Sequence, residues 1–309
     1  KKMPKTNKGL PGVGEKLTPV ISVDEFIKDN ELEEVMPVED GVIEVIDDVT
    51  APSPESPSVS VPINKAKIAD VSKKIYPVSN TTNDYLTILG YGNNGTGKTT
   101  FGATAKNALF INTEFGLKSI RTAKALAYDI ETWDDVEALY WFLANQPGGK
   151  HPNIDTLVWD TLTRLLRIAL RHAVLGAAAS DPSKDVIHAS QRDWGTATDR
   201  FIFWIAAFKK LPYHQIWLCQ ERTTSDDADV AGYQGFPDLS RAVRSYIQGD
   251  ADVIGRFEKR VNLETGDIEF VFNVAPSDVY VTRDRLNVLG NGMINPNFET
   301  ILKLFKEAK

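Results

Sequence analysis

Apolar positions along the chain follow two regimes that change near residue 80. Before that point only VDEFIKDNELEEVM, Val23 to Met36, has apolar residues at helical spacing, and GVIEVIDDV, Gly41 to Val49, reads as a strand. Ser, Pro and acidic residues fill the rest, so residues 1–80 are expected to form a flexible acidic arm and residues 81–309 the folded core. Past residue 80, apolar runs alternate with helical patterns. YLTILGYG, ALFINTE, AYDIETW, IDTLVWD and HQIWLCQ read as strands, and WDDVEALYWFLANQ, TLTRLLRIALRHAVL and DRFIFWIAAFKKLP as helices. This alternation predicts an α/β fold with a mainly parallel sheet covered on both faces. From Asp252 onward the pattern changes: VIGRFEKRV, IEFVFNV and VYVTRDRL, with the turn NLETGD, predict antiparallel strands, and NPNFETILKLFKEA predicts a closing amphipathic helix. No internal repeat is visible.

The stretch GYGNNGTGKTT, Gly90 to Thr100, joins the first of these strands to a helix expected to run through Ala105. It satisfies two phosphate-binding signatures. Gly90, Gly92 and Gly95 fit GxGxxG, the dinucleotide fingerprint, and Glu114, at Gly95 plus 19, sits where a ribose-binding acid would. Gly92, Asn93, Asn94, Gly95, Thr96, Gly97, Lys98 and Thr99 fit GxxxxGK[ST], the P-loop, with Thr100 continuing it. Only the P-loop requires both an ammonium and a hydroxyl at its end, so it is the reading adopted. Backbone N–H groups then close around the phosphates of ATP, Lys98 reaches the β and γ phosphates, and Thr99 ligates Mg2+. A second metal-organising oxygen is expected from a carboxylate at the end of another strand. Asp160, closing IDTLVWD, supplies it; the plainer alternative is that Asp160 caps the following helix. The next residue is Thr161, where many P-loop ATPases carry a catalytic glutamate, so the general base must come from elsewhere or be missing.

Charge and composition narrow the setting. The chain carries 35 basic and 42 acidic residues, a net charge of −7, so any contact with nucleic acid must come from a local basic groove or from neighbouring subunits. From Leu17 to Asn64 there are 12 acidic residues and the single Lys28, a local charge of −11. The single cysteine, Cys219, rules out an internal disulfide framework. His151, His172, His188 and His214 have no metal-ligand spacing with it, so zinc is not expected. No apolar run approaches the roughly 20 residues that span a bilayer, no membrane association is expected, and the expected compartment is the cytoplasm.

With these residues in view, the chain from about Tyr85 to Leu289 resembles the RecA-like ATPases. In that family the catalytic glutamate ends the strand beside the metal-aspartate strand, and Glu114 of FINTE holds the matching position. Gln220, ending IWLCQ, falls where the family carries a polar residue that senses the γ phosphate. Arg283-Asp284-Arg285 resembles the KxR element that DnaB- and RadA-type members insert into a neighbouring subunit's ATP site, with arginine in place of lysine. Each has a plainer alternative: a solvated strand end for Glu114, an ordinary strand-end polar group for Gln220, an exposed strand face for Arg283 and Arg285. SQRDWGTATDRF, GFPDLSRAVRSYIQGDADVIGRFE and VYVTRDRLNVLGNGMINPNFETIL are similar to small phage-encoded RecA-like ATPases, including the Sak-type single-strand annealing proteins. The acidic arm is not part of that pattern.

The resemblance implies a Mg2+-dependent, DNA-stimulated ATPase that forms a ring or filament of identical subunits and acts on single-stranded DNA in phage recombination or replication, in the host cytoplasm. It places DNA contacts in Gly176 to Trp194, with Lys184, Gln191, Arg192 and Trp194, and in Arg222 to Arg244, with Tyr233, Phe236, Arg241 and Arg244. Aromatics among Arg and Lys can stack bases and meet phosphates, although Asp226, Asp227 and Asp229 would repel a backbone. The alternative is that Trp194 and Phe236 pack in the core. The competing function is a P-loop motor or switch acting on a protein partner, with the arm as docking segment. A small-molecule kinase fits less well, because no Arg-rich lid segment is evident.

Overall fold

A computed structural model of the chain describes residues 84–181, 183–223 and 234–308. The chain divides into two units at Ile75–Tyr76, and every described residue belongs to the second. The expected helix at 23–36, the expected strand at 41–49 and the rest of the acidic arm lie outside the described residues.

The described strands are β1 (Thr87–Gly92), β2 (Ala108–Asn112), β3 (Leu126–Asp129), β4 (Thr156–Asp160), β5 (His214–Thr223), β6 (Gly235–Pro237), β7 (Val253–Val261), β8 (Ile268–Asn273), β9 (Arg283–Asp284) and β10 (Gly292–Ile294). The α-helices are α1 (Lys98–Gly102), α2 (Trp133–Ala144), α3 (Leu162–Ser180), α4 (Gln191–Lys209), α5 (Arg241–Asp250) and α6 (Phe298–Glu307). All ten strands join one sheet in the order β10-β8-β7-β1-β5-β4-β2-β3, with β6 on β5 and β9 on β7.

Alternation along each central strand explains the layering. On one face Leu89 and Tyr91 of β1, Leu109 and Ile111 of β2, Leu157 and Trp159 of β4 and Trp217 of β5 form a core with α2, α3, α4 and α5. The intervening residues Ile88, Phe110, Val158, Ile216 and Leu218 point to the other face, where Phe101 of α1 and Phe298, Ile301, Leu302 and Phe305 of α6 cover them. Strands buried on both sides read as unbroken apolar runs, which is why they were visible in the sequence. Phe101 packs among Phe257, Phe272 and Phe298, with ring centroids 5.3, 5.6 and 6.3 Å away. This aromatic cluster anchors α1 and the loop before it.

Several boundaries differ from the sequence expectation. Helix α1 ends at Gly102, not Ala105; the Thr104 hydroxyl bonds back to Phe101 O at 2.7 Å and accepts the Phe298 amide at 2.8 Å, tying the helix end to α6. β7 was expected among antiparallel strands but runs parallel to β1 on one side and antiparallel to β8 on the other. The sheet therefore changes from parallel to antiparallel at β7, not before it. VYVTRDRL contributes only the two-residue β9, because the Asp284 carboxylate accepts the amides of Leu286 and Leu289 and bends the chain away. Helix α4 starts at Gln191, where Ser190 and Asp193 form a capping box.

Candidate active site

Strand order sets the site. β1 is paired with β5 and β7, whereas β2 lies on the far side of β4, so a strand is inserted between the loop-bearing β1 and the Asp160-bearing β4. A dinucleotide fold places its first two strands side by side; this sheet does not, and the GxGxxG spacing is explained by packing. Gly90 lies inside β1, where a methyl group would meet the Phe257 ring at 2.4 Å.

Residues 93–97 turn from β1 into α1. At Gly97 the backbone is left-handed (φ 91°), and a side chain would press on Phe270 at 3.0 Å, so both conformation and space call for glycine. The turn wraps around the buried Lys98 ammonium, which donates to the carbonyls of Gly92 and Asn93 at 2.7 and 2.8 Å and approaches Gln220 Oε1 at 3.5 Å. Burial holds the Lys98 pKa below its ordinary value, while the Asp160 and Glu114 carboxylates oppose that drop. The Thr96 hydroxyl closes the turn onto Asn93 O at 2.8 Å.

Thr99 Oγ1 donates to Asp160 Oδ2 at 2.7 Å, across from β4. Burial raises the Asp160 pKa, against the Thr99 hydrogen bond; Glu114 adds to the rise and Lys98 opposes it. The helix-cap alternative for Asp160 does not hold, because the cap of α3 is Thr161, whose Oγ1 accepts the Arg164 amide at 3.3 Å. The same Thr161 hydroxyl donates to Glu114 Oε1 at 2.7 Å, so the residue standing where other P-loop ATPases carry glutamate holds this chain's own glutamate in place. Gln220 Nε2 donates to the two Glu114 oxygens at 3.1 and 3.4 Å. Thr113 bridges β2 to β4, donating to the carbonyls of Asp160 and Thr161 at 3.1 Å and accepting the Thr161 amide at 2.8 Å.

These groups line a cleft of about 350 Å3 bounded by Asn94, Gly95, Gly97, Lys98, Thr99, Thr100, Glu114, Ser119, Asp160, Gln220 and Phe270. Ser119 and Phe270, which line the cleft, and Thr113 and the Thr161 hydroxyl, which support it from behind, carry no local sequence signal, since each is brought there by the three-dimensional pairing of distant segments. Among the described residues no group of three or more His, Cys, Asp or Glu could hold a metal. The available donors, the Thr99 hydroxyl and the Asp160 carboxylate, are hard oxygens suited to Mg2+ carried in with substrate phosphates. Loop carbonyls now surround the Lys98 ammonium, and phosphate oxygens would give it a shell of the same kind.

Other expected residues lie elsewhere. Arg283 donates to the carbonyls of Gln248 and Ala251, and Arg285 to that of Gly249, so both cap the C-terminal end of α5 outside the cleft. Arg285 remains partly exposed, 3.6 Å from Asp252. In the two candidate DNA segments, Phe236 is buried with the Arg244 guanidinium 4.0 Å above its ring, so this pair is a core contact and not a stacking platform. Lys184 pairs with Asp193 at 2.6 Å. Trp194, 41% exposed, and Arg192 stand on the first turn of α4. Thr224 to Tyr233, with Asp226, Asp227 and Asp229, lie outside the described residues. Cys219 is buried and its thiol pKa is pushed up by that burial, which removes it as a nucleophile. Among the described residues no helix is long and apolar enough to cross a membrane.

A P-loop at the end of β1, one inserted strand, the carboxylate of Asp160 closing β4 and that of Glu114 two residues past β2 define a P-loop NTPase of RecA-like fold. The AAA domain family AAA_24 matches residues 84–286, more than half of the chain, and the chain belongs to that family. Comparison with curated proteins finds no match. Similar solved structures include a KaiC-like protein from the archaeon Pyrococcus horikoshii OT3, at 13% identity over 61% of this chain and 77% of that one, with a TM-score of 0.36. The flagellar accessory protein FlaH from Methanocaldococcus jannaschii matches at 11% identity over 61% and 76%, TM-score 0.31. The RadB recombinase matches at 14% identity over 68% and 84%, TM-score 0.37.

Proposed function

We propose that this chain hydrolyses ATP as a Mg2+-dependent, homo-oligomeric ATPase acting on single-stranded DNA in phage replication or recombination. The observation that supports hydrolysis best is the Glu114 carboxylate, held by Thr161 and Gln220 beside the Thr99–Asp160 pair. A carboxylate so fixed can orient a water and take its proton. Lys98 and the amides of the loop bind the polyphosphate, and Gln220 links that site to the segment that follows β5. Mg2+ held by Thr99 and Asp160 would neutralise phosphate charge. Arg283 and Arg285 are assigned to a neighbouring subunit's nucleotide, and residues 1–80 to control of assembly or to docking of a basic protein. Deleting 1–80 should change sedimentation or partner capture while leaving ATP binding intact; no change in either would remove that assignment.

One observation favours the reading without DNA, a motor or switch working on a protein partner: Phe236, Arg244 and Lys184 are engaged within the fold. The deciding experiment is the ATPase rate with and without single-stranded DNA, with Lys98→Ala as control. Stimulation supports the DNA reading, an unstimulated but Lys98-dependent rate supports the partner reading, and turnover unaffected by Lys98→Ala overturns the P-loop assignment.

A further inference from the structure

We propose that Lys259 on β7 is a second cation for the nucleotide's polyphosphate, supplied in cis from outside the P-loop motif; the inference rests on the nucleotide-binding reading above. β7 pairs with β1 as far as Phe257 opposite Gly92 and then continues past the end of β1. Phe257 faces the aromatic cluster that carries α1, and Lys259, two residues on, shares its face. Its cross-strand partner is Phe270, one wall of the cleft, which packs against Gly97. The β7–β8 hairpin therefore overhangs the loop. A methyl group on Gly95 would lie 3.4 Å from Lys259 Nζ, which puts the ammonium in contact with the middle of the P-loop.

Among the described residues the charge is not paired with a carboxylate. Of the three neighbouring cations on β7, Arg256 binds Glu221 and Glu258 and Arg260 binds Glu269, whereas Lys259 has no carboxylate partner among the described residues. Its ammonium stands 5.9 Å from the centroid of the Phe270 ring. An exposed ammonium at the loop, without a carboxylate to neutralise it, meets phosphate oxygens once the cleft is filled, and does so without the burial that Lys98 bears.

The test is equilibrium binding of MgATP and MgADP to the full chain, for wild type, Lys259→Ala, Lys259→Arg, Lys98→Ala and, as a surface control, Arg260→Ala. Lys259→Ala should weaken both nucleotides about tenfold, the scale of a hydrogen bond to a charged group. Lys259→Arg should recover most of the loss, and the gap between wild type and Lys259→Ala should narrow at high salt, as a screened contact requires and a packing role does not. Wild-type-like affinity in Lys259→Ala, beside lost affinity in Lys98→Ala, overturns the role of Lys259 and leaves the P-loop standing. Absence of binding by the wild type overturns both.

Discussion

Glu114 and Gln220 lie 106 residues apart and are joined by a hydrogen bond from Gln220 Nε2 to Glu114 Oε1 of 3.1 Å. Gln220 also stands 3.5 Å from the Lys98 ammonium, so one amide spans the P-loop lysine and the Glu114 carboxylate. Its own backbone amide donates to Thr163 Oγ1 at 3.0 Å, which fixes β5 against α3 three residues before the strand ends. A ligand that draws Lys98 or Glu114 toward itself must alter this contact, and Gln220 sits four residues before the segment at 224–233.

Glu114→Gln should keep nucleotide binding and lose about 10^2 or more in turnover, the scale of general-base loss. The nearby alternative, Glu221, is occupied: its side chain is 1% exposed and its Oε1 accepts Arg256 Nε at 2.7 Å. Glu221→Gln should instead destabilise the fold by about 3 kcal/mol, the scale of breaking a buried ion pair. Single-turnover kinetics and urea titration of both variants separate the roles; a hydrolytic defect confined to Glu221→Gln reverses the assignment.

If DNA stimulates the enzyme, Trp194 and Arg192 are the described residues placed to contact it. Trp194→Ala should remove most of the DNA-stimulated increment in rate, and Arg192→Ala should reduce the slope of log affinity against log salt by about 1. Phe236→Ala should act differently, lowering stability by about 3–5 kcal/mol through a cavity under Arg244. Stimulation and salt slope unchanged in both α4 variants would move the DNA site elsewhere.

The same residues show what a sequence discloses. Lys98 and Thr99 were legible because a P-loop is a local motif, Asp160 because it ends an apolar strand, and Glu114 because it follows one by two residues. The pairing that brings Phe270 and Lys259 over the loop was not, since β7 and β8 looked like an antiparallel appendage and nothing local marks β7 as the parallel neighbour of β1. Phe236 and Arg244 looked like a nucleic-acid surface because aromatic and arginine residues interleave in both settings; burial alone distinguishes them. Arg283 and Arg285 have the spacing of a strand face, yet the chain uses both on the carbonyls ending α5.

Asp193 gives a pH prediction outside the cleft. The Lys184 ammonium, then the Ser190 hydroxyl and amide, hold its pKa down at about 2, against about 3.9 for an unfolded Asp. A depressed carboxylate pKa means that the unfolded state binds more protons in this window, so stability rises with pH across it. The advantage of wild type over Asp193→Asn should be complete above pH about 4 and vanish as pH falls toward 2. Urea midpoints of the two proteins across that range measure it; a gap constant with pH would mean that the carboxylate's charge contributes nothing there.

Arg283 and Arg285 should separate by mutation. Arg283 lies deeper, bonded to two carbonyls of the α5 terminus, so Arg283→Ala should lower the melting temperature. Arg285 keeps one carbonyl and a 3.6 Å approach to Asp252 while remaining partly exposed, so Arg285→Ala should fold and bind ATP. If Arg285 completes a neighbour's site, its loss should abolish hydrolysis, because a finger acts chiefly on transition-state charge. Subunit mixing decides the matter. Inactive Arg285→Ala and inactive Lys98→Ala chains, co-assembled, should regain activity where an intact loop of one subunit meets an intact Arg285 of the next. No recovery in mixtures shown by sedimentation to co-assemble would confine Arg285 to capping α5.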